Sequence, residues 1–174
     1  AGLLRRILLN FTKEKFGLKA PQTKAAHLLF FYPEIFERGG GSRKMETRGP
    51  KKILIVEDER GLAISLATLL KSQGYLIVVA EDGLYGTSMA HEENVDLVIL
   101  DLGLPAGGGF SVLRNLKNSV KTNCIPVLIL TAKQEKELEA KAFEMGAVAY
   151  FHKPFNPEEL LSRIKEILGT GAVY

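Results

Sequence analysis

The sequence predicts an α/β domain with a parallel sheet covered by helices on both faces. Three observations predict it. Five short runs rich in Ile, Val and Leu recur between residues 52 and 152. Each is followed by a stretch with apolar residues at helical spacing, so the pattern is β-α five times over. Helix stops punctuate it, with glycines at 74 and 146 closing two of the helical stretches. Strict alternation demands parallel strands and right-handed crossovers. Such a sheet gathers its functional groups at the carboxyl ends of the strands.

The elements follow in order. Residues 52–57, KILIVE, read as a strand buried on both faces. Residues 61–74 place Leu62, Leu66, Leu69 and Leu70 at helical spacing. A second strand is predicted over 75–80, a weaker helix over 84–93 and a third strand over 95–101. The helix over 110–119 turns Phe110, Leu113, Leu116 and Lys117 to one side. The strand at 125–131 has Pro126 at its start, where a missing donor is tolerated. A charged helix spans 135–146 and the fifth strand 147–152. Asn156 caps a last helix to Gly169, with Pro157 at its first position and two glutamates behind it.

The chain has 174 residues and suits one domain with an appendage. No run reaches the roughly 18 apolar residues of a membrane span. No small-residue cleavage site follows the basic N-terminal stretch, which speaks against a signal peptide. One cysteine, Cys124, excludes an intramolecular disulfide and a cysteine-only zinc site, and a reducing cytoplasm is the expected compartment. Charge divides the chain. Residues 1–50 hold ten Lys/Arg against four Glu, whereas residues 51–174 hold 13 Lys/Arg against 16 Asp/Glu. The Gly-rich, Pro-containing stretch 37–50 reads as a flexible linker between these parts, and 170–174 as a tail. Within 1–36, apolar residues at 3, 4, 7, 8 and 11 with Arg/Lys between them suit a basic amphipathic helix, an N-terminal helical extension to the domain. Two readings of this arm stand side by side. One is a helix over 1–18 that lies on a membrane surface or docks on a partner. The other is upstream sequence translated ahead of Met45.

The polar residues at the strand ends carry the chemistry. The first strand ends in Glu57-Asp58-Glu59, the third in Asp101 and the fourth in Thr131; Lys153 follows the fifth. A parallel sheet brings all of them to one edge. Clustered acids repel, and they share a proton or recruit a cation. Carboxylate oxygens without thiols or imidazoles suit Mg²⁺. A divalent cation, a hydroxyl and a lysine around a free carboxylate make a phosphoryl site, in which the carboxylate attacks phosphorus. That accounts for Asp101, a charge otherwise out of place in the apolar run from Val95 to Pro105.

The segments ILIVEDE, DLVILDLGLP, PVLILTA and AYFHKPF resemble the receiver domain of two-component response regulators, over about residues 51–169. The resemblance implies a flavodoxin-like doubly wound sheet of strand order 2-1-3-4-5. It implies that Asp101 is the phosphoacceptor, taking its group from a sensor histidine kinase or a histidine phosphotransfer protein. Asp58 would then bind Mg²⁺ directly, Glu57 through water, Asp101 itself and the Gly103 carbonyl completing the set. Thr131 and Lys153 would hold the phosphoryl group, and Thr131 and Tyr150 would form the switch. Gly103 and Lys133 occupy positions that set phosphoryl lifetime in relatives. Lys153-Pro154 matches a lysine-proline pair that is usually cis. The resemblance also implies an output protein or a further effector domain as partner, and no direct nucleic-acid binding by this domain.

A rival from the enzyme class is a Mg²⁺-dependent phosphatase that passes through an aspartyl-phosphate. It requires a second aspartate two residues after the nucleophile, and that position is Gly103. A flavodoxin-like electron carrier requires phosphate-binding Ser, Thr or Gly after the first strand, where this chain has three acids. His152 alternates away from Lys153 along the strand and is expected to stay outside the site. The run Ala106–Gly109 reads as a loop before a helix, since it lacks GxGxxG spacing. His27, His91 and Cys124 show no ligand pattern.

Overall fold

The computed structural model describes residues 49–105 and 108–169. The arm 1–36, the linker up to residue 48 and the tail 170–174 lie outside the described residues. Five strands alternate with five helices: β1 (Lys52–Val56), α1 (Arg60–Ser72), β2 (Leu76–Ala80), α2 (Gly83–Glu92), β3 (Leu97–Leu100), α3 (Gly108–Asn118), β4 (Val127–Thr131), α4 (Lys136–Glu144), β5 (Ala149–His152) and α5 (Pro157–Ile167). The sheet order is β2-β1-β3-β4-β5 and every pairing is parallel. Val56 stands in register with Ala80 on one side and with Leu100 on the other.

Side chains alternate across the strands, and this splits the core into two layers. Ile53, Ile55, Leu97 and Ile99 pack with Leu66 and Leu70 of α1 and with Leu160 and Ile164 of α5. Leu54, Val56, Val98 and Leu100 pack with Met89 of α2, Val112, Leu113 and Leu116 of α3, and Ala142 of α4. The three central strands are almost wholly buried, which is why they read as unbroken apolar runs. Asn156 caps α5 as expected, accepting from the Glu158 and Glu159 amides at 2.8 and 3.3 Å. Gly74 and Gly146 have φ of +86° and +94°, the left-handed values that end α1 and α4.

Some expectations shift. Strands are shorter than the apolar runs by one or two residues at their ends; Val95 is an example, 6% exposed yet ahead of β3. The buried stripe of α1 is Ala63, Leu66, Ala67 and Leu70, with Leu62 and Leu69 at its margins. The alanines let the helix approach the sheet. On α3, Leu113 and Leu116 of the predicted side are buried together with Val112, whereas Phe110 is half-buried beside Lys141 of α4. Lys117 is half-buried, as its side of α3 suggested. Its Nζ donates to the carbonyls of Asn123 and Ile125 at 3.1 and 2.8 Å, and burial pulls its pKa below the ordinary lysine value.

The helix α3 begins at Gly108, two residues earlier than expected. The reason is a close approach. A Cβ on Gly109 would lie 2.4 Å from Leu102 Cα and 2.6 Å from the Asp101 carbonyl. Glycine lets the first turn of α3 pass against the backbone that leaves β3, and that backbone carries the site.

Candidate functional site

Four of the five strands, β1, β3, β4 and β5, deliver a site residue at the same edge. After β1, the Glu57 amide donates to the Ala80 carbonyl at 3.0 Å. After β3, the Asp101 amide donates to Val56 at 3.0 Å, and after β5 the Lys153 amide donates to Thr131 at 2.9 Å. The sheet ladder thus continues one residue past the strand ends and fixes the backbone of three functional residues. The Lys153-Pro154 peptide is cis.

Glu57 is 2% exposed and Asp101 is 7% exposed, so both carboxylates are essentially out of water. Lys153 lies between them. Its Nζ is 2.6 Å from Glu57 Oε2 and 2.8 Å from Asp101 Oδ2. The other Asp101 oxygen, Oδ1, accepts the Gly103 amide at 2.7 Å. A side chain at 103 would bring its Cβ within 3.2 Å of both Asp101 oxygens, so glycine leaves that carboxylate open on this side. Asp58 is exposed. Glu57, Asp58 and Asp101 can each place an oxygen within 4.8 Å of the others. Glu59 contributes its amide, which donates to Glu57 Oε1 at 3.2 Å; its side chain is exposed.

Burial raises the pKa of Glu57 above its ordinary 4.5; the charge of Asp101 adds to the rise, and the contact with Lys153 opposes it without overcoming it. Burial pulls Lys153 down, yet its hydrogen bonds to Asp101 and Glu57 and their charges outweigh burial and hold it above 10.5. The pocket therefore carries more negative than positive charge, with one ammonium holding two of three carboxylates. A divalent cation fits that donor set: oxygens only, close together, with one ligand open to solvent.

The remaining expected residues meet at a neighbouring point. Thr131 is fully buried, and its Oγ1 accepts the Lys133 amide at 3.3 Å. The Tyr150 hydroxyl donates to the Lys133 carbonyl at 3.4 Å. Burial raises the Tyr150 pKa, with Glu139, Glu135 and Asp101 adding to it. Ala132 is exposed and leaves the pocket mouth clear.

Two features escaped the sequence reading. Lys153 ties Glu57 to Asp101, a bridge that spans 96 residues and has no local signal. His152 was expected to be uninvolved, and it does point away from Lys153. Its Nδ1 nevertheless lies 3.2 Å from the Lys133 carbonyl, and its ring stands edge-on to Tyr150 with centroids 5.2 Å apart. The signal was present in the spacing: residues 150 and 152 share a strand face.

Residues 53–165 match the family model of the response regulator receiver domain. The chain is 38% identical over 118 residues to the phosphate regulon transcriptional regulatory protein PhoB of Escherichia coli, an alignment covering 68% of this chain and 52% of that protein. It thus spans about half the length of the curated relatives it matches. Among solved structures, a CheY-like receiver domain protein from Methanospirillum hungatei superposes with a TM-score of 0.66 at 29% identity, covering 70% of this chain and 96% of that one. The receiver domain of a sensor histidine kinase from Pseudomonas aeruginosa, which holds a magnesium ion in its active-site cleft, superposes at 0.64 with 26% identity over 70% of this chain and 99% of that one. With the order β2-β1-β3-β4-β5 and three acids, a threonine and a lysine at one sheet edge, the chain belongs to the receiver domains of two-component response regulators.

Proposed function

We propose that Asp101 is the phosphoacceptor of this receiver domain and that its phosphorylation switches the binding of an output partner. One observation carries the reading: Asp101 is a buried carboxylate held at both oxygens, by the Gly103 amide and the Lys153 ammonium, beside two further acids. An attacking carboxylate held this way has lost little freedom still to lose. Its oxygen forms a bond to phosphorus of a phosphohistidine, the phosphorus–nitrogen bond breaks, and the imidazole leaves with a proton. A sensor histidine kinase or a histidine phosphotransfer protein is the donor class.

Glu57, Asp58, Asp101 and the Gly103 carbonyl would hold Mg²⁺, which supplies positive charge against the phosphoryl oxygens. Lys153 leaves its carboxylate partners for those oxygens. Thr131 turns its hydroxyl from the Lys133 amide to the phosphoryl group, and Tyr150, bonded to the carbonyl of the same residue, is released to move. The face that changes is α4, β5 and α5. A partner must bind its two states with different affinity to be switched. The chain spans about half of PhoB, a transcriptional regulator, so an effector domain in the same protein is the first candidate for output.

Incubation with a small-molecule phosphodonor and Mg²⁺ should add one phosphoryl mass to the full chain. Chelator should prevent it, and Asp101→Asn should abolish it. An adduct retained in Asp101→Asn removes Asp101 from the role. Steady turnover of a phosphomonoester would instead favour a phosphatase.

Asp58→Ala should weaken Mg²⁺ binding and leave the metal-free protein as stable as the wild type, within about 0.5 kcal/mol. Asp58 is exposed and adds only repulsion to its neighbours when no cation is bound. Urea melts in chelator test the second statement, and calorimetric Mg²⁺ titration tests the first. A clear loss of stability in chelator would mean that Asp58 supports the fold.

A further inference from the structure

The Lys133 backbone is held on both its polar groups. Its N–H donates to Thr131 Oγ1 at 3.3 Å. Its carbonyl accepts from Tyr150 at 3.4 Å and lies 3.2 Å from His152 Nδ1. A carbonyl oxygen only accepts, so Nδ1 must carry the hydrogen. Neutral His152 is therefore the Nδ1–H tautomer, with Nε2 left as an acceptor toward solvent. Of the two bonds, that from Tyr150 is long for O–H···O, whereas 3.2 Å is within range for N–H···O. His152 is the firmer hold. Residues 132–135 between β4 and α4 are all exposed, so little else fixes this turn.

The position matters because β4 lies beside β3, with Ile129 in register with Leu100. The turn at 131–133 thus leaves the sheet next to Asp101. We propose that His152 is a positioning residue that holds the Thr131–Lys133 turn in place beside Asp101 and so prolongs the life of the phosphoryl group there. This rests on the reading of Asp101 as the phosphoacceptor. The reaction that ends that life is hydrolysis. A water oxygen bonds to phosphorus, the phosphorus–oxygen bond to Asp101 breaks, and the carboxylate is regenerated. Inorganic phosphate leaves, and the proton goes to solvent. Ala132 puts only a methyl group at the mouth, so the placement of the turn governs water access. Releasing the Lys133 carbonyl lets the turn swing out and takes Thr131 with it.

The test uses the full chain with His152→Val and His152→Asn. Valine keeps strand preference and removes the donor; the asparagine amide restores an N–H close to the position of Nδ1. Each is loaded with a small-molecule phosphodonor and Mg²⁺, freed of donor and followed by intact mass. His152→Val should lose its phosphoryl group roughly 2- to 10-fold faster than wild type, the factor expected for one net hydrogen bond. His152→Asn should decay close to the wild-type rate. Nitrogen-15 spectra of the wild-type imidazole should show the Nδ1–H tautomer in the neutral form. Equal decay in all three proteins, or His152→Asn as fast as His152→Val, overturns the positioning role. An Nε2–H tautomer overturns the hydrogen bond itself. A wild type that never takes up a phosphoryl group overturns the reading at Asp101 instead.

Discussion

Lys153→Ala is expected to lose about 3 kcal/mol of stability in metal-free buffer at neutral pH. The cause is what remains, not what is removed. Glu57 at 2% and Asp101 at 7% exposure would face each other with no cation between them. Breaking a buried ion pair leaves an uncompensated charge, and its cost exceeds the net worth of the pair. The pH dependence follows from the two shifts. Lys153 is raised above 10.5, so its contribution is complete below 10.5 and is lost as pH rises through the raised value. Glu57 is raised above 4.5, so it favours the fold while protonated, and that contribution is lost as pH rises through its raised value. The deficit of the variant should therefore shrink as the buffer is acidified through the raised pKa of Glu57, where that carboxylate takes up its proton. Mg²⁺ should recover part of it at neutral pH by replacing the missing charge. Urea melts with and without chelator, at pH 7 and at about pH 5, measure all of this. A variant as stable as wild type at neutral pH would mean that water accommodates both carboxylates. The same variant should still accept a phosphoryl group but fail to pass the change on. Amide shifts across α4, β5 and α5 on adding a phosphoryl mimic should be smaller than in wild type.

The second large effect pairs one substitution at two sites with opposite sign. Gly109→Ala should destabilise by about 2 kcal/mol. Alanine gains up to about 1 kcal/mol over glycine in a helix. Overpacking costs about 3 kcal/mol here, the upper end of its usual range. The new Cβ would meet Leu102 Cα at 2.4 Å and the Asp101 carbonyl at 2.6 Å, and backbone atoms cannot rotate away as a side chain can. Either α3 moves out or the backbone at Asp101 shifts, so phosphodonor labelling should also fall. Gly61→Ala in α1 should instead stabilise by roughly 0.5–1 kcal/mol, because a Cβ there meets nothing within 4 Å. Denaturation midpoints of the two variants decide the matter. If both stabilise, the approach of α3 to residues 101 and 102 is not rigid.

Much of this was legible in the chain. Runs of Ile, Val and Leu between helical periods admit few arrangements other than a parallel sheet. Asp101 was legible because a charge ending an apolar run demands a partner. Glu57, Asp58, Thr131 and Lys153 were legible as a set because parallel strands bring their ends to one edge. The early start of α3 was not legible. Local pattern reads glycines as a loop, and only the proximity of Leu102 explains Gly109 inside a helix. The choice of buried residues on α1 and α3 also went beyond periodicity, since small alanines and Val112 were preferred where the sheet lies close.

By itself, then, the sequence determined which elements form, that they stack in parallel, and which groups collect at one edge. All of these follow from periodicity and residue type along the chain. Tertiary structure alone decided who pairs with whom across that edge. Lys153 chose Glu57 and Asp101 because a buried ammonium goes to the buried carboxylates within its reach. His152 reached Lys133 because an edge strand lays its outward residues against the loop of its neighbour. Such choices depend on distances between segments far apart in sequence, and no local pattern encodes them.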